Sequence, residues 1–172
     1  MDAVVITLVL GGARSGKSAV AEALASRLPA PVTYLATTVA DPADADLSER
    51  IVIHRARRPA AWATVEASST EVAAVLRATT GAVLVDSLGA WVAGAPDLAV
   101  DTQELCGALR SREGDSVVVT DEVGLGVHPS SELGRRFRDV LGEVNQAVAG
   151  VADEVLLVVA GRVLPLSDVM RS

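Results

Sequence analysis

The sequence predicts an α/β fold in which a mostly parallel sheet is flanked by helices. Short apolar runs alternate with segments of helical periodicity along the chain, and this alternation is typical of a doubly wound parallel sheet. Half of the residues are hydrophobic but only 2% are aromatic, so Val, Leu, Ile and Ala must fill the core, as they do around buried parallel strands. The 172 residues show no internal repeat and no evident boundary. We therefore expect residues 1–172 to form a single domain.

The predicted strands are short apolar runs bounded by Gly, Pro or acidic residues. The first of them, VVITLVL, is continuous and ends in Gly-Gly, which indicates a strand buried on both faces. The last follows a turn at Gly161 and is expected at an edge of the sheet. The strands are predicted at residues 4–10, 32–36, 62–66, 82–85, 116–120, 155–160 and 163–166.

The predicted helices have apolar residues at helical spacing and recognisable stop signals. Pro29 and Pro31 follow the first helix, and Pro59 ends the second. The longest helix has Ser130 or Ser131 as its cap, and Gly150 lies near its end. The helices are predicted at residues 18–28, 47–57, 71–79, 102–112 and 130–148, with a loop at 39–46.

Charge and cysteine content argue against several classes of protein. The net charge of -7 argues against a nucleic-acid partner, because proteins that bind nucleic acid are usually basic. Cys106 is the only cysteine, so neither an intrachain disulfide nor a multi-cysteine metal site is possible, and a reducing compartment is expected. The start of the chain lacks a signal peptide's basic region, and no segment approaches the roughly 20 apolar residues that span a bilayer. We expect a cytoplasmic protein without a membrane span.

Residues 11–18 read G-G-A-R-S-G-K-S, a complete G-x-x-x-x-G-K-[ST] phosphate-binding pattern. Glycines allow a tight loop whose backbone N–H groups surround a β-phosphate, and the following helix directs its positive dipole end at the same anion. Lys17, the only lysine, is expected to bridge the β- and γ-phosphates, and the Ser18 hydroxyl to ligate Mg²⁺. Because a predicted strand precedes the pattern and a helix follows it, we predict nucleotide binding rather than a plain Gly-rich turn. The predicted contacts are Gly11, Gly12, Ala13, Arg14, Ser15, Gly16, Lys17 and Ser18.

A magnesium ion at this loop needs a second, acidic contact at the end of a neighbouring strand. Asp86, at the end of A-V-L-V-D, is the preferred ligand. Asp121 and Glu122, which end V-V-V-T-D-E, compete with it. Such carboxylates also cap turns and helices, so the choice stays open at this stage.

His54 begins the segment H-R-A-R-R-P. On a helix, Arg57 and Arg58 would lie on the same side as His54, where they could hold a phosphate chain while a neutral imidazole attacks it. The residues alone favour a plainer interpretation, a solvated helix face with a partly packed histidine.

Seven segments together resemble the bifunctional adenosylcobinamide kinase and adenosylcobinamide-phosphate guanylyltransferase family of cobalamin biosynthesis, over nearly the whole chain. They are G-G-A-R-S-G-K-S at 11–18, Y-L-A-T-T at 34–38, R-I-V-I-H-R-A-R-R-P at 50–59, W-A-T-V-E at 62–66, D-E-V-G-L-G-V-H-P at 121–129, R-R-F-R-D-V-L-G-E-V-N-Q at 135–146 and A-D-E-V-L-L-V-V-A-G at 152–161.

The resemblance implies two reactions. The γ-phosphoryl group of GTP or ATP passes to the aminopropanol hydroxyl of adenosylcobinamide. A histidine then attacks the α-phosphate of GTP and carries GMP as a phosphoramidate to the substrate phosphate, which gives adenosyl-GDP-cobinamide. The implied partners are a corrinoid and a guanine nucleotide with Mg²⁺, and the implied architecture is a RecA-like P-loop NTPase domain that assembles as a homotrimer.

The resemblance also assigns roles to particular residues. It places the guanylylated histidine at His54 and so reverses the plainer interpretation given above. Asp86 stands where a glutamate is common in the family, and Ile53 where a second histidine is often found. The further nucleotide contacts that the resemblance implies are Leu35, Ala36, Thr37, Arg55, Ala56, Arg57, Arg58, Glu66 and Asp86.

Two other functions are compatible with the phosphate loop alone. One is a P-loop small-molecule kinase that forms no covalent intermediate. The other is a GTP-binding regulatory module, which should carry an N/T-K-x-D guanine motif. This chain cannot carry that motif, because its only lysine lies in the phosphate loop.

Overall fold

The computed structural model describes residues 4–37 and 59–168, and seven strands in these ranges form one sheet. Each predicted strand corresponds to an observed one, with ends that differ by two residues or fewer. The strands are β1 Ile6–Gly11, β2 Val32–Ala36, β3 Ala63–Glu66, β4 Ala82–Asp86, β5 Ser116–Asp121, β6 Glu154–Val159 and β7 Arg162–Pro165.

The strand order across the sheet is β3-β2-β4-β5-β1-β6-β7. Neighbouring strands are parallel from β3 to β6, and β7 alone in this sheet runs antiparallel, as an edge strand that forms a hairpin with β6. The prediction of a mostly parallel sheet is therefore confirmed. Parallel neighbours need crossover connections, and in the described part of the chain helices lie between β1 and β2, between β3 and β4, between β4 and β5, and between β5 and β6.

Five α-helices lie within the described residues. Four of them match predicted helices, whereas the helix predicted at residues 47–57 lies outside the described residues. The helices are α1 Lys17–Ala25, α2 Val72–Ala78, α3 Leu88–Ala93, α4 Thr102–Ser111 and α5 Glu132–Ala149, and a short 3₁₀ turn covers Pro96–Leu98.

The sequence did not lead us to expect α3, although its signals can be read in retrospect. Ser87 caps it, because the Ser87 hydroxyl accepts from the Ala90 N–H at 3.3 Å. Leu88, Trp91 and Val92 follow at helical spacing, and all three are buried. The helix was overlooked because six residues show less than two turns of this periodicity.

Helices cover both faces of the sheet, and side chains alternate between them along each strand. On β1, Leu8 packs into a core cluster with residues of α2, α3, α4 and α5. Val9, its neighbour, packs into a second cluster with Ala21 and Ala25 of α1. A strand that is buried on both faces is apolar throughout, as the continuous run in β1 indicated.

Arg112, just after α4, is a buried cation that joins several elements. Its guanidinium donates to the carbonyls of Leu76, Thr79 and Gly81 at 2.6, 3.0 and 2.6 Å. Its Nε donates to the Ser116 hydroxyl at 3.2 Å. Burial lowers the pKa of Arg112 from its ordinary value, but a guanidinium remains charged at neutral pH. The side chain thus ties the end of α2 to the starts of β4 and β5.

None of the helices within residues 4–37 and 59–168 has the length and apolar character that crossing a bilayer requires.

Candidate functional site

The predicted phosphate loop leads from β1 to α1 at the carboxyl edge of the sheet. Gly16, the residue before α1, has φ 92° and ψ 6°, a left-handed conformation that glycine adopts without steric cost. A Cβ atom on Gly11 would lie only 2.9 Å from the Val158 carbonyl oxygen. Both glycines of the pattern are therefore required by the backbone, and the loop turns its chain directly into the first turn of a helix.

The turn between β6 and β7 touches this loop. The Gly161 N–H donates to the Ser15 carbonyl at 2.7 Å, and a Cβ atom on Gly16 would lie 3.3 Å from the Gly161 Cα. Gly161 itself has φ 72°. The last hairpin of the sheet thus supports the outer side of the phosphate loop.

Lys17 folds back over the loop and meets an acidic strand end. Its Nζ donates to the Gly12 carbonyl at 3.2 Å and lies 2.7 Å from Asp121 Oδ1. Only 13% of the Lys17 side chain is exposed, against 34% for Asp121. In the sheet, Asp121 is the register partner of Gly11. Asp121, which the sequence offered as an alternative metal ligand, is therefore the acidic residue in contact with the loop lysine.

Asp121 is attached to α5 by a buried amide. The Asn145 Nδ2 donates to the Asp121 carbonyl at 3.0 Å, and the Thr120 hydroxyl donates to Asn145 Oδ1 at 2.6 Å. Thr120 is fully buried and Asn145 is 8% exposed. Asn145 lies in the segment R-R-F-R-D-V-L-G-E-V-N-Q that carries part of the family resemblance, but no role could be assigned to it from the sequence.

Asp86, the preferred metal ligand, ends β4, which β5 separates from β1. The Tyr34 hydroxyl donates to Asp86 Oδ2. The Thr37 hydroxyl donates to the Ser87 carbonyl at 2.6 Å and accepts from the Ser87 N–H at 3.0 Å. These bonds fix the end of β4 beside the end of β2.

The nucleotide contacts expected at the ends of β2 and β3 lie close to Asp86 in the sheet. Ala36 is the register partner of Asp86 on one side and of Glu66 on the other, so the three carboxyl ends adjoin. Leu35 is fully buried in the core, so only its backbone could face a ligand. His54 and the contacts expected at Arg55, Ala56, Arg57 and Arg58 lie outside the described residues.

The residues expected at the metal are compatible with Mg²⁺. Ser18 lies in the first turn of α1 and Asp86 at the same edge of the sheet, and both offer the oxygen ligands that Mg²⁺ prefers. Within residues 4–37 and 59–168, no group of three His, Cys, Asp or Glu side chains could form an all-protein metal cage. A site with one carboxylate, one hydroxyl and substrate phosphates is the arrangement that Mg²⁺ commonly takes in phosphoryl-transfer proteins.

A cavity of about 230 Å³ lies at the opposite edge of the sheet. Thr7, Ser116 and Glu154, near the amino ends of their strands, line it together with Arg27 and Leu28 beyond α1. Ligands of open α/β sheets bind outside the carboxyl ends of the strands. We therefore locate the candidate site at the phosphate loop and not in this cavity.

Sequence comparison relates the chain to enzymes of known description. The family model described as "Cobinamide kinase / cobinamide phosphate guanyltransferase" matches residues 7–166. The chain is 42% identical to the bifunctional adenosylcobalamin biosynthesis protein CobP of Pseudomonas aeruginosa over 169 residues, which cover 92% of this chain and 95% of that protein. It is 39% identical to the bifunctional adenosylcobalamin biosynthesis protein CobU of Salmonella typhimurium, with 90% and 95% of the two chains covered.

Comparison of the structures bears on the fold alone. The chain resembles an ATPase from the type III secretion system of pathogenic bacteria, with a TM-score of 0.59 and 13% identity. The match covers 96% of this chain and 57% of that one. It confirms the predicted fold class, an α/β domain with a mostly parallel sheet flanked by helices.

Proposed function

The chain belongs to the cobinamide kinase / cobinamide phosphate guanyltransferase family, and from this premise we propose that it catalyses both reactions. It phosphorylates adenosylcobinamide and then transfers GMP to adenosylcobinamide phosphate. The observation that carries the proposal is the position of Lys17, whose ammonium group is held over the phosphate loop by the Gly12 carbonyl. An ammonium group in that place can contact the phosphate chain that the loop encloses.

In the kinase reaction, the hydroxyl oxygen of the substrate's aminopropanol arm attacks the γ-phosphorus of GTP or ATP. The bond from that phosphorus to the β–γ bridging oxygen breaks, the nucleoside diphosphate leaves, and the hydroxyl proton is released. Lys17 and the loop N–H groups would stabilise the charge that develops on the phosphate oxygens.

In the transferase reaction, a ring nitrogen of His54 attacks the α-phosphorus of GTP and pyrophosphate leaves. The imidazole gives up its proton as the phosphoramidate forms. A phosphate oxygen of adenosylcobinamide phosphate then attacks the same phosphorus, the N–P bond breaks, and GMP is transferred. A neutral imidazole is a competent nucleophile near pH 7 because its ordinary pKa is about 6.5. Arg55, Arg57 and Arg58 follow His54 in the chain and would hold the α-phosphate.

Ser18 and Asp86 would hold Mg²⁺ in this scheme. Bound there, the ion supplies positive charge that neutralises the phosphate oxygens. The nucleotide contacts proposed for Ala36, Thr37 and Glu66 are supported by their place at the adjoining ends of β2 and β3.

The proposal extends to the setting in which the enzyme works. Residues 1–172 form one domain, three copies assemble as a homotrimer, and the protein acts in the cytoplasm. The single sheet that contains every described strand supports the first of these statements. The family assignment supports the other two.

Product analysis tests the proposed function directly. The full chain is incubated with adenosylcobinamide, Mg²⁺ and GTP, and the corrinoid products are identified by mass spectrometry. We expect adenosylcobinamide phosphate first and adenosyl-GDP-cobinamide after it. Accumulation of the phosphate alone would indicate a kinase without the transferase. An unchanged corrinoid, with GTP bound, would favour a regulatory module instead.

A further inference from the structure

The Asp121 carboxylate is confined from two directions. Its Oδ1 lies 2.7 Å from Lys17 Nζ. Its Oδ2 faces Gly89 of α3, where a Cβ atom would come within 2.3 Å of it. Any residue other than glycine at position 89 would therefore force the Asp121 carboxylate to move. The backbone of Asp121 is in turn held by Asn145 of α5.

The Asn145 amide can adopt only one orientation at this place. The Asp121 carbonyl can only accept a hydrogen bond, so the donor Nδ2 must face it. Oδ1 is then left for the Thr120 hydroxyl, which donates to it at 2.6 Å. Both polar groups of the amide are satisfied away from solvent, which makes the side chain rigid. Asn145 thus fixes the direction in which β5 ends.

Gly89 sits where a residue with a side chain would serve the helix better. It is buried within α3, and glycine is a poor helix former because its backbone loses more entropy on folding. Its missing Cβ provides the space that Asp121 Oδ2 occupies. The local structure of α3 therefore gives no reason for a glycine, whereas the Asp121 carboxylate gives one.

We propose that Asn145 and Gly89 are positioning residues that set the place of the Asp121 carboxylate, and through it the place of the Lys17 ammonium group over the phosphate loop. Neither side chain is assigned a contact with substrate. Asn145 acts on the Asp121 backbone, and Gly89 acts on its carboxylate by leaving room. The inference rests on the proposed function, since it requires that Lys17 contacts the nucleotide phosphates.

Steady-state kinetics with GTP and adenosylcobinamide, together with melting temperatures, test the inference on the full chain. The variants are N145A, G89A, D121A and the doubles N145A/D121A and G89A/D121A. V148A is the control, because Val148 is fully buried on the same helix and its side chain forms no hydrogen bond to β5. It reports what a loss of packing in α5 does by itself.

We expect N145A and G89A each to lower kcat/KM for GTP about tenfold, the lower end of what removal of a supporting residue costs. When Asp121 is already replaced by alanine, adding N145A or G89A should lower kcat/KM for GTP by no more than about a further twofold. Residues that act through the Asp121 carboxylate have nothing left to position once that carboxylate is gone. V148A should keep kcat/KM within about twofold of the wild type at a reduced melting temperature.

The inference would be overturned if the losses of kcat/KM in the double variants were the product of those in the single variants. It would also be overturned if V148A lowered kcat/KM as much as N145A does while lowering the melting temperature equally. If N145A does not fold, G89A decides alone, and wild-type kinetics in G89A would then refute the proposal. A wild-type chain that neither binds GTP nor turns it over would instead refute the proposed function, and this inference with it.

Discussion

Lys17 Nζ and Asp121 Oδ1 lie 2.7 Å apart, and this ion pair joins the first turn of α1 to the carboxyl end of β5. Asp121 ends β5, and its register partner on the neighbouring strand β1 is Gly11, the first residue of the phosphate loop. The lysine also donates to the Gly12 carbonyl. Its ammonium group is thus held between the phosphate loop and the strand next to it, so substitution of Lys17 should affect phosphate chemistry first.

For Lys17→Ala we expect kcat of the kinase reaction to fall roughly 10²- to 10³-fold, the loss typical when one preorganised charge donor is removed. Arg27→Ala is the matched control, because Arg27 is an exposed cation just beyond the end of the same helix. Phosphate transfer to adenosylcobinamide, followed by chromatography, measures both. Unchanged turnover in Lys17→Ala would remove the lysine from the mechanism.

For His54→Ala we expect loss of covalent GMP labelling, with nucleotide binding retained, because the nucleophile is gone while the phosphate loop is intact. His128 is the only other histidine in the chain, and its Nδ1 contacts Arg138 at 2.8 Å, so His128→Ala is the control that should label normally. The measurement is acid-labile, base-stable radioactivity after incubation with α-labelled GTP and Mg²⁺. Label that persists in His54→Ala, or disappears in His128→Ala, would contradict the assignment.

For Arg112→Leu we expect the free energy of unfolding to fall by about 3 kcal/mol, because three carbonyls that now accept from the guanidinium lose their donor. Arg112→Lys should restore little of the lost free energy of unfolding, since an ammonium group cannot reproduce the planar, forked set of donors of a guanidinium. Arg110→Ala, at an exposed position of α4, should change the stability by no more than about 0.5 kcal/mol. Urea denaturation compares them, and equal stability of Arg112→Leu and Arg110→Ala would contradict the expectation.

Burial raises the pKa of the Cys106 thiol above its ordinary value of 9.0, although nearby Arg110 acts in the opposite direction. A raised pKa in the folded state means that the unfolded chain loses this proton first. The contribution to stability is therefore complete below the ordinary pKa and is lost as the pH rises through the pKa of the folded state.

Two measurements check this dependence on pH. Cys106 is the only cysteine, so iodoacetamide should alkylate the native chain far more slowly at pH 8.5 than the chain in urea. The difference in unfolding free energy between the wild type and Cys106→Ala should shrink above pH 9. Alkylation of the native chain at the rate of the urea-unfolded chain would show that the thiol is not protected.

Much of the fold could be predicted from the sequence pattern because the central strands β1, β2, β4 and β5 are buried on both faces. Short continuous apolar runs that are rich in Val and are bounded by Gly or acidic residues, such as those of β1 and β5, are typical of buried strands. Short elements escaped this reasoning, and α3 was missed because less than two turns leave hardly any pattern. The direction of β7 also could not be read from its residues, since alternation along a strand does not say how its neighbour runs.

The site was predictable where it depends on local sequence and less so where it depends on the order of strands. The phosphate loop follows from residues 11–18 alone. Which acidic strand end adjoins that loop depends on the position of β5 between β1 and β4, and no residue of β5 encodes this by itself. Asn145 left a weak signal, because it is the polar residue in the buried stripe that Leu141, Val144 and Val148 form along α5.

The contact between Gly161 and Ser15 has a consequence for biosynthesis. The phosphate loop leaves the ribosome well before the β6–β7 hairpin that supports it. β1 likewise pairs with β5 and β6, both of which come from the second half of the sequence. Such distant pairings form slowly because a long stretch of chain must first be closed. A nascent chain that carries the complete loop sequence therefore still lacks a finished nucleotide pocket until β5, β6 and the turn at Gly161 have been made.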